Sequence, residues 1–329
     1  MGAGVGDRGM AADIGRGSSE GGAVVREGGE AGDRTRRERR LGVGPQAGSR
    51  EGGAGARVGG SASGFGRGGW LPAVMPGTGL ATIGGCIGQD VHGKNHHHAG
   101  SFCQHVQSFT LITGNGPVEV TPEKTPGLFR ATAGGVGQTG VIARAKLKLL
   151  PCKGDVMVVT ERRVEDWDEH IALLDASEAT YSVGWIDATA TGGALGRGIL
   201  EEGETGSGLM PKRVKNRKVP LDAPKFALSS PVVKLFNAAY YRRVPSAGRT
   251  VVKPIGDFFF PLDKIHDWNR LYGKRGFHQF QCVVPVDAAP VLKDIVGRIA
   301  HSGLCSPLAV IKRMGPGRAG MLSFPMEGY

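Results

Sequence analysis

The segment 75–102 constrains this chain more than any other, because it places seven glycines and four histidines in a stretch too short to bury a core. It reads MPGTGLATIGGCIGQDVHGKNHHHAGSF. Glycine lets the main chain approach a ligand without a Cβ in the way, and its amide can then point at anionic oxygens. We therefore expect a loop that binds the pyrophosphate of a nucleotide. Because no Gly-Lys-Ser/Thr follows the glycines and no strand precedes a G-x-G-x-x-G, the loop is neither a Walker loop nor a Rossmann fingerprint.

The first 69 residues differ in composition from the rest of the chain. They contain 23 glycines and 11 arginines, but no lysine, tryptophan or tyrosine. Such a segment cannot bury enough apolar area to offset its ordering entropy, so we expect residues 1–69 to be a disordered tail. The run 34–40, RTRRERR, and the RGG-like piece 66–69 leave open a role in binding RNA, although acidic residues are interspersed among the arginines.

The whole chain of 329 residues is basic, with a formal net charge of +11. Such a charge suits an anionic substrate or anionic lipid headgroups, and it also suits plain solubility. We find no apolar run near 18 residues and no signal-peptide pattern at the start, so a cytoplasmic protein or one peripheral at a membrane is expected. The five cysteines include no C-x-x-C pair, which favours reduced, structural thiols.

Local patterns after residue 70 predict a compact α+β protein. Residues 109–120 read as a β-hairpin with its turn at 114–117, and residues 141–149 alternate as a strand that Pro151 ends. In that strand the alternation predicts an inward face of Ala143, Ala145, Leu147 and Leu149.

Beyond Pro151, apolar spacing predicts helices over 167–174 and 291–300. Residues 277–284 and 308–312 read as strands, and 201–225 reads as a polar loop.

Several motifs together resemble one family. PGT, TIGG, QDVHGKNHH and AGSF in 76–102 are similar to the flavin-binding segment of FAD-linked oxidoreductases of the vanillyl-alcohol-oxidase or PCMH type, and in particular to the decaprenylphosphoryl-β-D-ribose 2'-oxidase branch. The resemblance covers the chain from about Trp70 to its last residue. It continues through AGGVGQTGVI at 133–142, FPLD at 260–263, DWNRLYG at 267–273 and LSFP at 322–325.

The resemblance implies an α+β fold with a partial PCMH-type FAD-binding domain at 70–152. A substrate domain at 153–329, incomplete at its C-terminus, would follow, with an antiparallel sheet and flanking helices. FAD would be held non-covalently, since no histidine occupies the position usually used for covalent attachment. The residues implied to bind it are Gly77, Thr82, Ile83, Gly84, Gly85, Gln89, Asp90, Val91, His92 and Ile142.

The same resemblance implies oxidation of a CH–OH group of a sugar or lipid-linked phosphosugar, with an NAD(P)H-dependent epimerase-type reductase as a possible partner. Gln281 and Lys312 match positions on the substrate side and are the candidates for catalysis, and Tyr240 falls near an aromatic residue that shapes the entrance to the substrate site. Lys312 can bind a phosphate or hold a developing alkoxide.

Two parts of the family pattern have no match. The R-G-x-G-x-S-Y loop does not occur before Trp70, and the family's flavin-adjacent lysine would follow Tyr329. The sequence therefore favours a fragment with little or no activity. A non-enzymatic remnant, or a basic protein that binds RNA through the tail, is the alternative.

The histidine cluster also invites a metal-binding interpretation. Zinc sites need ligands at fixed spacing from separate elements, and consecutive histidines cannot all face one ion. We therefore expect no metal. The cluster consists of His92, His96, His97 and His98, with Cys103 and His105 nearby.

Overall fold

The computed structural model describes residues 41–42, 48–60, 69–208 and 217–329. They form two compact units, each made of separate stretches of chain. The first unit contains the described residues up to Gly93 together with Ser101–Pro151 and Arg318–Phe324. The second unit contains Lys94–Gly100, Cys152–Gly317 and Pro325–Tyr329.

The first unit is built on an antiparallel sheet in the order β1-β2-β6-β4-β5, with β3 pairing to the far end of β6. Short helices α1 and α3 and the 3₁₀ turn Phe102–His105 belong to the same unit. The strands are β1 Leu41–Gly42, β2 Ser49–Gly53, β3 Trp70–Pro72, β4 Val106–Thr113, β5 Gly116–Val120 and β6 Val141–Pro151. The helices are α1 Ile83–Gln89, α2 His96–Ala99, which belongs to the second unit, and α3 Pro126–Thr132.

The predicted hairpin and the predicted long strand are confirmed by β4–β5 and by β6, which ends at Pro151. Ala145, Leu147 and Leu149 are buried as the alternation requires. Ala143 is only half-buried, and Ile142 is buried instead. The register of β4 on β6 shifts between Thr110 and Leu111, which breaks the strict two-residue period at this point.

The expectation of a disordered tail up to residue 69 is wrong for residues 48–60. Strand β2 pairs with β6 over five residues, from Ser49 opposite Lys148 to Gly53 opposite Arg144. Ala54, Ala56 and Val58 behind it are buried. The composition argument missed that small side chains gain burial and hydrogen bonds when a neighbouring strand supplies the partner. Residues 1–40, 43–47 and 61–68, including the two arginine-rich pieces, lie outside the described residues.

The second unit is built on an antiparallel five-stranded sheet in the order β11-β7-β9-β8-β13. Helices α4 and α7 contribute Trp167, Leu174 and Leu292 to its main apolar cluster. Short strands β10 and β12 pair in parallel. The strands are β7 Val156–Val164, β8 Tyr181–Ile186, β9 Gly198–Gly206, β10 Arg217–Lys218, β11 Arg249–Pro254, β12 Ile265–His266 and β13 Val310–Ile311. The helices are α4 Trp167–Asp175, α5 Ser230–Arg242, α6 Ile255–Phe259 and α7 Ala289–His301. Short 3₁₀ turns lie at Gly192–Ala194, Lys225–Leu228, Trp268–Arg275 and Val286–Ala288.

Helices α4 and α7 confirm the two helix predictions, but three other predictions for this unit are corrected. Residues 277–284 form no strand, and Phe280 is exposed, because alternation alone does not make a strand without a partner in the described part of the chain. The strand predicted at 308–312 is limited to β13. The loop predicted at 201–225 begins inside β9, whose last six residues it had included. Within the described residues, no helix combines the length and the apolarity that crossing a bilayer requires.

Candidate functional site

The predicted binding loop leads into α1, and Thr82 starts that helix. The Thr82 backbone is extended, and its Oγ1 accepts a hydrogen bond of 3.1 Å from the amide of Gly85. This is the usual arrangement of an N-cap residue. A hydroxyl that accepts in this way keeps its proton for donation, so Thr82 can still donate to a ligand.

The glycine at position 84 serves the packing of the protein on itself. Its amide donates to the carbonyl of Ala54 at 2.8 Å, and the amide of Ile83 donates to Ala56 at 2.9 Å. A Cβ on Gly84 would lie 3.1 Å from the Cβ of Ala54. The amides of Ile83, Gly84 and Gly85 thus have acceptors within the first unit. Their contribution to an anion site stays a prediction. The close packing against Ala54 explains a glycine at position 84 without any ligand.

Asp90 ends α1 in the left-handed region, at a φ of 43°. Its buried carboxylate accepts hydrogen bonds from the amides of Cys103 at 2.9 Å and Ala319 at 3.1 Å, and from the hydroxyl of Ser323 at 2.5 Å. These donors come from two distant stretches of chain, so Asp90 fixes both against the end of α1. Asp90, which the sequence predicted as a site residue, therefore holds the loop in shape.

His92 follows this turn and remains only half-buried. Its ring stacks on Phe324, with centroids 5.9 Å apart and an interplanar angle of 26°. The backbone around it is fixed by a β-bridge between His92 and Ser101 and by the hydrogen bond from Phe102 to the carbonyl of Val91. The stacked pair forms a flat, partly accessible aromatic surface.

The motif at 133–142 lies against the same end of α1. The amide of Gly134 donates to Ile87 at 3.0 Å, and that of Val136 donates to Gly88 at 2.8 Å. Val136 is exposed and has a φ of 54°, which is strained for a β-branched residue. Strain of this kind is often found at functional sites.

Most of the predicted cofactor residues lie together around α1. They fall into an accessible group and a buried group. Gly77 is exposed, and Thr82, Gln89 and His92 are half-buried. These four can touch a ligand, beside the exposed side chains of Val136 and Phe324. The buried ones support the loop from inside: Ile83, Gly84, Gly85, Asp90, Val91 and Ile142. Accessible backbone beside flat apolar side chains fits a flavin nucleotide, with its polar chain and its aromatic ring.

In the second unit, Lys94 is a functional candidate that sequence reasoning missed. Its Nζ donates to the carbonyl of Phe258 at 2.6 Å and lies 4.0 Å from the centroid of that ring. Glu201 Oε2 is 3.9 Å away. Burial lowers the pKa of Lys94 to about 8, a net value that includes an opposing effect of Glu201 and smaller lowering effects of Lys253 and Lys312. The sequence feature that could have identified Lys94 is its position inside the QDVHGKNHH motif.

A buried ion network lies next to Lys94. Glu161 is fully buried and accepts from Arg243 at 3.0 Å, Arg249 at 2.6 Å and Lys253 at 2.6 Å. Burial raises the pKa of Glu161, but the hydrogen bonds from these three cations outweigh it and lower the pKa to about 2. Arg243 and Lys253 also contact Glu201 Oε1, at 3.2 and 3.1 Å. Glu201 therefore joins the network to Lys94.

Of the three predicted substrate-side residues, two are associated with this network. Tyr240 Oη accepts from Arg243 Nη2 at 3.2 Å, and its ring lies 4.7 Å from that of Trp185. Burial raises the pKa of Tyr240, although Arg243 opposes this. Lys312 directly follows β13 and is close enough to Lys94 to lower its pKa. Gln281 is exposed, at the end of the exposed stretch 277–281.

The neighbouring histidines take part in hydrogen bonds within the second unit. His96 Nδ1 accepts from the amide of Gly315 at 3.2 Å, and His97 Nε2 lies 3.0 Å from the carbonyl of Ala179. Burial lowers the pKa of His97. Among the residues that the structure describes, no group of three metal-ligating side chains is close enough to hold an ion.

Comparison with known proteins gives two extended similarities. The decaprenylphosphoryl-β-D-ribose oxidase of Mycolicibacterium smegmatis is 38% identical over 275 residues, which cover 79% of this chain and 60% of that protein. An uncharacterized protein in the mprA 5' region of Streptomyces coelicolor is 33% identical over 281 residues, covering 79% of this chain and 76% of that protein.

A shorter similarity links the chain to plant enzymes. Cytokinin dehydrogenase 9 of rice is 39% identical over 117 residues, or 34% of this chain and 22% of that protein. No protein-family model matches the chain. The two extended similarities nevertheless cover most of the chain, and the α+β architecture agrees with the family that the motifs indicated. The chain belongs to the FAD-linked oxidoreductases of the PCMH type, the family of the decaprenylphosphoryl-β-D-ribose oxidase.

Proposed function

We propose that this chain is an FAD-dependent oxidoreductase that acts on a CH–OH group of a sugar or of a lipid-linked phosphosugar. The observation that carries the proposal is the 38% identity to the decaprenylphosphoryl-ribose oxidase over 79% of the chain. The chain spans 60% of the length of that relative, so the activity of the whole relative is proposed for this chain rather than transferred to it.

In this proposal the first unit holds FAD. Gly77, Thr82, Gln89 and His92 supply the accessible polar and backbone groups, and Val136 and Phe324 supply apolar surface. When bound, the flavin accepts the hydride that the alcohol carbon loses. We propose that FAD is bound without a covalent link.

The second unit supplies groups that can bind the substrate and move a proton. An amine whose pKa is about 8 exchanges its proton readily near neutral pH, which makes Lys94 a candidate base or acid for the substrate hydroxyl. Lys312 and Gln281 remain the candidates that the family resemblance implied. Lys312 and Lys94 together favour an anionic substrate, which a phosphosugar would be. A reductase that consumes the resulting ketone is part of the same proposal.

Flavin titration tests the first half of the proposal. FAD should lose fluorescence when the protein is added, and Thr82→Val should weaken binding because a donor to the ligand is lost. Thr113→Val is a matched control, since the Thr113 hydroxyl donates to the carbonyl of Gly116 and accepts from the amide of Asn115, both in the β4–β5 turn. Acid precipitation should then release the yellow flavin into the supernatant. Failure to bind FAD would contradict the proposal, and colour in the pellet would contradict non-covalent binding.

Anaerobic reduction tests the second half. A polyprenylphosphoryl ribose should bleach the bound flavin, whereas the same lipid phosphate without the sugar should not. Lys94→Met should slow bleaching while leaving FAD affinity unchanged. Bleaching at the wild-type rate in that variant would remove Lys94 from the mechanism, and bleaching by none of a set of alditols and phosphosugars would contradict the substrate class.

A further inference from the structure

Helix α5 is buried along one face and also exposes apolar side chains on its remaining surface. Val233 and Asn237 point into the second unit and are buried. The rest of the helix surface carries exposed apolar side chains. Leu235 is 73% exposed, Phe236 49% and Val232 40%. The usual amphipathic surface helix carries polar residues there instead.

The exposed face continues beyond the helix. The 3₁₀ turn Lys225–Leu228 packs on α5, and its Phe226 is 70% exposed. The same turn contacts the 3₁₀ segment Trp268–Arg275, where Leu271 is exposed. Phe236 is held in place by stacking on Tyr240, with centroids 5.9 Å apart. Exposed apolar side chains gathered on three contacting elements indicate an interaction surface.

The charge on α5 and its immediate flanks has one sign, whereas Asp222, four residues before Phe226, is paired with Arg270 at 3.5 Å. The stretch 223–256 contains six lysines and arginines and no aspartate or glutamate. Arg243, Arg249 and Lys253 are committed to Glu161 inside the unit. Lys234 and Arg242 of α5 are exposed beside Leu235 and Phe236. Positive charges around exposed leucine and phenylalanine complement a surface that is negative outside and apolar beneath, as an anionic bilayer is.

We propose that the exposed face of α5, with Phe226, docks on anionic phospholipid. The apolar side chains enter the boundary between headgroups and acyl chains, and Lys234 and Arg242 contact the phosphates. Binding of this kind needs neither FAD nor turnover, so its test is independent of the proposed function.

Co-sedimentation with vesicles tests the proposal. The wild-type protein should sediment with vesicles of phosphatidylcholine mixed with phosphatidylglycerol, and much less with phosphatidylcholine alone or in high salt. Leu235→Asp should lower the partition constant for these vesicles about tenfold, since it removes a leucine's burial. Lys234→Glu should have an effect of about the same size. Leu322→Asp and Lys148→Glu are matched controls, because Leu322 is equally exposed at 73% and Lys148 is an exposed lysine of the first unit.

A second measurement reports the position of the face directly. The fluorescence of Phe236→Trp should shift to the blue on anionic vesicles, whereas that of Leu322→Trp should not. An equal loss of binding in Leu235→Asp and Leu322→Asp would overturn the proposal. So would the absence of any blue shift for Phe236→Trp, or a protein dimer that Leu235→Asp disperses without any effect on vesicle binding.

Discussion

Ser323 donates its hydroxyl to the buried carboxylate of Asp90, although the two residues are 233 positions apart in the chain. The same carboxylate accepts from the backbone at Cys103 and Ala319. One short turn after α1 therefore holds the stretch Arg318–Phe324 in the first unit. This stretch also carries Phe324, which stacks on His92.

Removing this hydroxyl should destabilise the first unit. We expect Ser323→Ala to lower the free energy of unfolding by about 1–3 kcal/mol, because a buried carboxylate loses a donor. Chemical denaturation measures the change. Ser302→Ala is the control, since the exposed Ser302 hydroxyl bonds only locally, donating to the carbonyl of Ile299 and accepting from the amide of Leu304. Equal losses of unfolding free energy in the two variants would show that the hydrogen bond from Ser323 to Asp90 stabilises the protein no more than an exposed, local one.

The strained backbone at Val136 leads to the opposite expectation. A β-branched residue at a φ of 54° costs about 1–2 kcal/mol that asparagine or glycine would largely avoid. Val136→Asn should therefore raise the melting temperature. Val158→Asn is matched in exposure, at 38% against 40%, but lies in the regular strand β7 and should lower it. A lower melting temperature for Val136→Asn would mean that the packing of the valine side chain stabilises the protein by more than the strained backbone destabilises it.

The Glu161 network should depend on the carboxylate at its centre. Glu161→Gln leaves three cations with an uncharged partner, and we expect a loss of about 3–5 kcal/mol in unfolding free energy. Glu51→Gln, which breaks an exposed pair with Arg144, should cost less than about 1 kcal/mol. Because the pKa of Glu161 is about 2 in the folded protein, the stabilisation is present above its unfolded pKa and is lost as the pH falls toward 2. Acid titration of the wild type and of Glu161→Gln should therefore converge at low pH.

His170 predicts a second pH dependence, at milder acidity. It is buried, its Nδ1 lies 2.9 Å from the carbonyl of Gly196, and burial lowers its pKa. The unfolded chain then binds a proton at a pH where the folded protein does not, so stability should fall as the pH drops through about 6.5. Melting temperatures between neutral pH and pH 5 measure this. His170→Gln should flatten the curve, whereas His278→Gln, at an exposed position, should leave it as in the wild type.

Lys94 should titrate well below an ordinary lysine. Reductive ¹³C-methylation followed by NMR should reveal one lysine whose pKa is near 8, and Lys94→Arg should remove that signal. Glu201→Gln should lower the pKa of Lys94 further, because Glu201 is the group that raises it. A normal pKa for every lysine would withdraw Lys94 as a proton carrier.

The parts of the fold that the sequence predicted are those specified by local pattern. Strand β6 and helix α7 contain their own periodicity, and the β4–β5 turn contains its own glycines. Strand β2 reads SREGG and has no strand-like pattern, because its pairing with β6 depends on a partner almost one hundred residues away. The segment 277–284 shows the converse, a clear alternation without a strand.

The candidate site divides in the same way. The motif residues around α1 were predictable because they are close in sequence. The contacts of Lys94 with Phe258 and Glu201 were not, since each joins residues more than one hundred positions apart. The glycine at 84 was predicted for a ligand, and its contact with Ala54 became visible only when residues 48–60 were found to be folded.

The interleaving of the two units along the chain limits how the protein can be dissected. The chain passes from one unit to the other after Gly93, Gly100, Pro151, Gly317 and Phe324. A cut at Pro151 would leave Asp90 on one piece and its donors Ala319 and Ser323 on the other. The same cut would separate Lys94 from Phe258. Neither half of such a split gene would encode a whole folding unit, and complementation between the two pieces would have to rebuild both.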